Sequence, residues 1–203
     1  MSFVKRAVWL CAAVSLSACG GPEEASRAPS GSESLGAQSS ALLTGTSNGC
    51  TFSIDKFNVP LSPPYYNIYL RRSASGTCAY PASGPVIEVS YTNPPISLAA
   101  NNLGVVTGYS YRGSPSPSGN IQCRVRHYDP ATMTVVREHD IVVLYGAGNV
   151  ESCNVAISSD GTTVTVGGTK TGPLQGETGS GTRYVATFPN FFTSTTPPTY
   201  TAY

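Results

Sequence analysis

The side chains with which this chain could do chemistry are two histidines, His127 and His139, a scatter of carboxylates, six cysteines and twelve tyrosines. Any imidazole-dependent reaction must use His127 or His139. They lie on adjacent runs, residues 121–128 and 134–145, which read as a hairpin turned at Asp129-Pro130, the Pro presetting φ at the second turn position. Position 127 is expected to face 134 or 135, which sets His139 four or five residues further on, about 13 to 17 Å away at strand rise. The pair cannot then share a metal ion through that hairpin. His127 falls with Ile121, Cys123 and Val125 on the more apolar face and reads as a hydrogen-bonded core or rim residue. His139 stands between Glu138 and Asp140, but neighbours along a strand point to opposite faces, so the run is not an acid and base pair.

The carboxylates after residue 45 are Asp55, Glu88, Asp129, Glu138, Asp140, Glu151, Asp160 and Glu177. Most fall in or beside turns, or opposite Arg on hairpins. Glu88 sits mid-strand between Ile87 and Val89 and is expected on a solvated face. A glycosidase needs two carboxyls facing each other across a sugar, and no such pair is marked. Gly45-Thr46-Ser47-Asn48-Gly49 spells G-x-S-x-G, but that motif works at a strand-to-helix elbow and no helix follows; it reads as a turn. The Gly-rich residues 172–181 lack the Lys-Ser/Thr pair and the following helix of a phosphate loop, and Asp160-Gly161 lacks the spaced acids of a calcium loop. No cofactor is implied.

What must position these residues begins with an address. Lys5 and Arg6 precede a ten-residue apolar run, residues 7–16, half the length of a membrane span and built like an export signal. The run ends in Leu16-Ser17-Ala18-Cys19, which resembles the lipobox of bacterial lipoproteins. The resemblance covers the first 19 residues and no more. It implies a signal peptide over residues 1–18, a diacylglyceryl group on the Cys19 thiol, Cys19 as mature N-terminus, and the lipid bilayer as a partner. Gly20, not Asp, follows Cys19, which in such lipoproteins implies release to the outer membrane, facing the periplasm or the cell exterior.

Loss of Lys5 and Arg6 leaves 10 Lys and Arg against 11 Asp and Glu, a formal charge of −1, so there is no electrostatic case for nucleic acid as a partner. Trp9, the one Trp, leaves with the signal. Residues 19–45, rich in Gly, Ser, Ala, Pro and Glu without an aromatic, bury too little apolar surface to offset ordering entropy and read as a flexible tether, with a reach of about 25 to 30 Å.

Folded sequence is expected from near Cys50, within a single domain over residues 46–203. Alternation marks strands around residues 52–57, 65–72, 86–92, 96–100, 103–111, 121–128, 134–145, 154–158, 162–167 and 183–188, the last that the pattern supports. No window carries a capped helical stripe. The spacing predicts an all-β domain, an antiparallel β-sandwich or irregular barrel; the length is too short for a closed propeller.

Cys11 leaves with the signal. Cys50, Cys78, Cys123 and Cys153 remain in an exported, oxidising setting without a paired C-x-x-C, which points to two disulfides and not to a metal. Cys50 with Cys78 and Cys123 with Cys153 is the favoured pairing, since each closes a loop between neighbouring strands. Tyr65 and Tyr69 share one strand face, and Tyr109 and Tyr111 another, with Arg71 and Arg112 nearby, a possible ligand platform. The function expected is that of a non-enzymatic interaction or assembly module for an envelope protein or polysaccharide. The alternatives are a carbohydrate-binding lipoprotein using the Tyr-rich face and an envelope hydrolase.

Overall fold

A computed structural model describes residues 43–74, 76–144 and 148–203. The expected signal peptide, Cys19 and nearly all of the expected tether lie outside the described residues.

The chain forms antiparallel sheets stacked face to face, a sandwich and not a closed barrel. The first sheet runs in the order β1 (Thr44–Ser47), β2 (Cys50–Val59), β3 (Tyr65–Ser73) and β4 (Val86–Ser90). The second is an equally simple meander of β5 (Ile96–Asn101), β6 (Gly104–Tyr111), β7 (Gln122–Tyr128) and β8 (Val135–Ile141). The third contains β9 (Asn154–Ile157), β10 (Val164–Thr169), β11 (Thr178–Gly179), β12 (Arg183–Phe188) and β13 (Thr199–Ala202), in the order β11-β13-β12-β10-β9. Only the two-residue β11 pairs in parallel, with β13.

The second sheet is covered on both faces. Leu98, Val105, Tyr109, Tyr111 and Tyr128 meet Phe52, Ile54, Ile68 and Leu70 of the first sheet. Ala99, Val106, Cys123, Val125 and Ile141, which alternate with them, meet Val155, Val164, Val166, Ala186 and Phe188 of the third. All eight residues of β6 are therefore buried. Each fully buried Val, Leu or Phe contributes about 1.5 to 3 kcal/mol of transfer free energy, so the two interfaces are the main source of stability.

Both favoured disulfides are present. Cys50–Cys78 ties β2 to the connection after β3, and Cys123–Cys153 joins the second sheet to the third. Gly108 on β6 lies directly under the second bridge, where an added Cβ would sit 2.6 Å from Val155 and 2.7 Å from the Cys153 carbonyl, so the sheets can approach only over a glycine.

Three elements differ from the sequence reading, the two-residue β11 among them, since residues 172–181 are expected from sequence to form turns. β1 forms across the expected boundary between the tether, ending at residue 45, and the turn read at 45–49, because Asn48 (φ 49°) and Gly49 (φ 76°) supply the positive-φ turn that folds it onto β2. Its Ser47 ends a strand that turns into another strand, not into a helix. At the other end, β13 pairs with β12 from Tyr184↔Ala202 to Thr187↔Thr199 and extends the third sheet beyond residue 188.

Buried cations fasten the loops. Arg72, 5% exposed, donates to the carbonyls of Pro81, Pro130 and Ala131 and so ties β3 to the β7–β8 turn. Lys170, 2% exposed, donates to the Gly172 and Gly181 carbonyls and pairs with Glu177, which fixes the Gly-rich loop.

Candidate functional site

Between the first and second sheets, the alternation of β7 sends Arg124 and Arg126 toward β4. Arg124 binds Asp140 through Nε and Nη2, each bond 2.7 Å, and reaches Glu88 at 2.7 Å through Nη1. Arg126 pairs with Glu138 and donates to the Ile87 carbonyl. Its Nη2 also lies 3.4 Å from Glu88. Glu88 is only 17% exposed, so the solvated face expected for it is corrected: pairing Ile68↔Glu88 turns it inward, between two guanidinium groups. The bidentate bond to Asp140, and then the other anionic partners, raise the pKa of Arg124 further above its ordinary value. Each of the three carboxylates already accepts from Arg, and the cluster fastens one sheet to the other.

Tyr109 and Tyr111 belong to this same interface. They are 0% and 4% exposed, and Arg124 stacks over Tyr111 at 4.6 Å. Burial holds both phenols up, Tyr111 to about 12. Their part in a surface platform is thereby corrected, since the first sheet covers the face they share. Tyr65 and Tyr69 lie on the opposite, outer face of the first sheet and stay half-buried. The structure does not bring the four together.

That outer face carries the broadest accessible set of large side chains on the first sheet. Asp55↔Tyr69, Phe57↔Asn67 and Val59↔Tyr65 are cross-strand pairs, and β4 adds Val86 opposite Tyr69. Phe57 is 64% and Val86 47% exposed. Arg71 lies over the Tyr69 ring at 4.8 Å and pairs with Asp55. Tyr91, which the Tyr reading of the sequence omitted, sits 6.1 Å from Tyr65. Only the fold could find it, because it comes from the loop after β4.

The histidines face the third sheet. Val125↔His139 and His127↔Arg137 are the observed pairs, so the two imidazoles stand two residues apart along the ladder, about 7 Å at strand rise. The longer separation expected from sequence is corrected. The Asp129–Thr134 turn closes with its own hydrogen bonds, and a register shift at His127 and Tyr128 takes up a residue on β8. His127 is 5% exposed, packed edge-on to Phe192 at 5.0 Å, with Gly104 leaving the room its ring occupies. Burial lowers its pKa, and Arg137 adds to the effect. His139 bonds through Nε2 to the Tyr200 hydroxyl at 2.9 Å and packs against Phe188, and burial lowers its pKa as well.

Asp140, Val142, Gln175, Pro197, Pro198 and Tyr200 line a groove of about 350 Å³ beside His139. Its lining contains no Ser, Thr or Cys nucleophile, and Asp140 points its oxygens to Arg124. Tyr200 is a partner that sequence reasoning missed, since β13 shows no apolar alternation. Arg137 also acts at long range, donating to the carbonyls of Phe191, Ser194 and Thr196 and holding the connection before β13. Among the described residues, no group of three His, Cys, Asp or Glu side chains is placed to hold a metal ion. No helix among them is long and apolar enough to cross a membrane. Comparison with family models, curated proteins and solved structures finds no match.

Proposed function

We propose that the chain is a lipid-anchored protein of the bacterial envelope, attached through Cys19 and directed to the outer membrane, and that its domain is a non-enzymatic interaction or assembly module for another envelope protein. The observation that carries the second part is the outer face of the first sheet. It sets Phe57 and Val86 in the open beside Tyr65 and Tyr69. Solvent-exposed apolar side chains gathered on one face are what a protein partner covers. The inward ionisable groups, by contrast, are engaged with one another: Glu88, Glu138 and Asp140 with Arg124 and Arg126, and Glu177 with Lys170. A module whose charges join sheets, and whose accessible face is apolar and aromatic, suits binding better than bond cleavage.

A photo-crosslinking residue at Val86, tried in intact envelopes, tests the protein-partner reading. The expected result is one discrete adduct from position 86, weakened by Tyr69→Ser and absent when the crosslinker is moved to Val136 on β8, itself 57% exposed. Equal labelling from both positions would sink it.

A polysaccharide ligand is the second reading, favoured by the combination of Tyr65, Asn67, Tyr69 and Arg71 on the strand that crosses this face. It predicts saturable binding to peptidoglycan, capsule or matrix polysaccharide that is lost in Tyr65→Ala and Tyr69→Ala while Val136→Ala binds normally.

A further inference from the structure

β1 runs antiparallel to β2, with Thr44 opposite Ser53 and the Ile54 amide bonded to the Leu43 carbonyl. Followed backward from Thr44, the chain therefore leaves the domain toward the end where β2 turns into β3. The two ends of the sheets differ in chemistry. On the first two sheets the exit end is formed by the β2–β3 turn (residues 60–64), the β4–β5 connection (91–95) and the β6–β7 connection (112–121), none of which contains an acid; the acids at that end, Glu151 and Glu177, belong to the connections of the third sheet. Leu61 is 61%, Phe57 64% and Leu43 48% exposed there. Tyr65 and Tyr91 pack together beside them, Lys56 reaches the Pro94 carbonyl at 2.7 Å, and Arg112 reaches the Tyr91 carbonyl at 3.2 Å. The opposite end carries Asp129 and Asp160 in its turns.

Apolar tips beside tyrosines and cations, with the acids kept to the far layer, are a composition that settles at a bilayer interface. Cys19 precedes Leu43 by 24 residues, and a coil of that length would reach about 25 to 30 Å, which keeps the exit end at high effective concentration near the lipid even if its own affinity is weak. We propose that Leu61 and Tyr91, with Lys56 and Arg112, seat this end of the domain on the bilayer to which the chain is tethered. The inference rests on the lipid-anchor reading. Docked in this way, the strands stand on the membrane and the outer face of the first sheet is turned sideways, toward partners in the same envelope.

Since Trp9 departs with the signal, the processed protein offers a background free of Trp. Leu61→Trp places a reporter at the exit end and Leu103→Trp, at 49% exposed in the β5–β6 turn, places one at the opposite end; neither position is packed in a core. The processed full chain is reconstituted into phosphatidylcholine and phosphatidylglycerol vesicles with and without brominated acyl chains. Flotation with the vesicles, lost when the chain is produced from Gly20 onward without residues 1–19, reports the anchor, and quenching reports docking. The expected result is blue-shifted emission and several-fold stronger bromolipid quenching for Leu61→Trp than for Leu103→Trp. Protein that floats while both reporters stay red-shifted and equally unquenched overturns docking alone. A blue-shifted but unquenched Leu61→Trp overturns it too, since protein and not lipid then covers the tip. Failure to float removes the anchor reading and with it the docking.

Discussion

Protonation of His127 would put a charge between Phe191, Phe192 and the Arg137 guanidinium, with Asp129 the nearby carboxylate. His139 faces Phe188, Tyr200 and Arg137, with Asp140 engaged by Arg124. In both cases burial depresses the folded pKa below the unfolded value of about 6.5. Above that pH both states are neutral and neither histidine gives any pH dependence. As pH falls through the unfolded value the unfolded chain takes up protons first, so stability is lost with acidification until the folded pKa is passed. Thermal melts are expected to be level from about pH 7 to 9 and to fall below about pH 6.5, with a shallower fall in His127→Phe. Identical slopes in the two proteins would remove His127 from this account. Glu88 supplies the sharper stability test. Glu88→Ala leaves Arg124 and Arg126 without their shared inter-sheet partner, at an expected cost of about 2 to 4 kcal/mol in urea unfolding, whereas the more exposed Glu138→Ala should cost less than about 1 kcal/mol. The alternation around Glu88, Tyr109 and Tyr111 was legible in the sequence, but its orientation was not. A period of two names two faces without saying that one of them is covered by a sheet from elsewhere in the chain.

Hairpins whose strands alternate strongly were legible as elements: β5 with β6, β7 with β8, and β9 with β10 follow from local pattern and turn chemistry. β1 and β13 were not, because Thr44–Ser47 (TGTS) and Thr199–Ala202 (TYTA) carry too little apolar side chain to alternate. They are strands because a neighbour offers a ladder, a tertiary cause. The cysteines were readable for a different reason. Each bridge closes a loop near thirty residues, with separations of 28 and 30, between elements already close in the chain. Since Cys123–Cys153 joins two sheets, Cys123→Ala with Cys153→Ala is expected to cost about 2 to 4 kcal/mol. The comparison is made by chemical denaturation of the oxidised proteins. A loss below the error of that measurement would mean that the second and third sheets hold together through Val125, Val155 and Val166 alone.

For the whole molecule, three stacked sheets have their inward ionisable groups spent on ties between sheets and loops, and one aromatic face open. The third layer follows from contacts between residues far apart in sequence, so composition and spacing foresaw a sandwich but not a sheet buried on both sides. The proposed anchor stands at the other extreme of legibility, since four consecutive residues, Leu16-Ser17-Ala18-Cys19, carry it. On it depend the oxidising setting of the disulfides, the nearness of the exit end to lipid and the supply of envelope partners. Mass spectrometry of the N-terminal peptide from protein purified out of cell membranes addresses this claim most directly. The account predicts a chain that begins at Cys19 and bears a diacylglyceryl thioether, with unprocessed precursor accumulating in Cys19→Ala. An unmodified Cys19, whether the chain starts there or elsewhere, would contradict it.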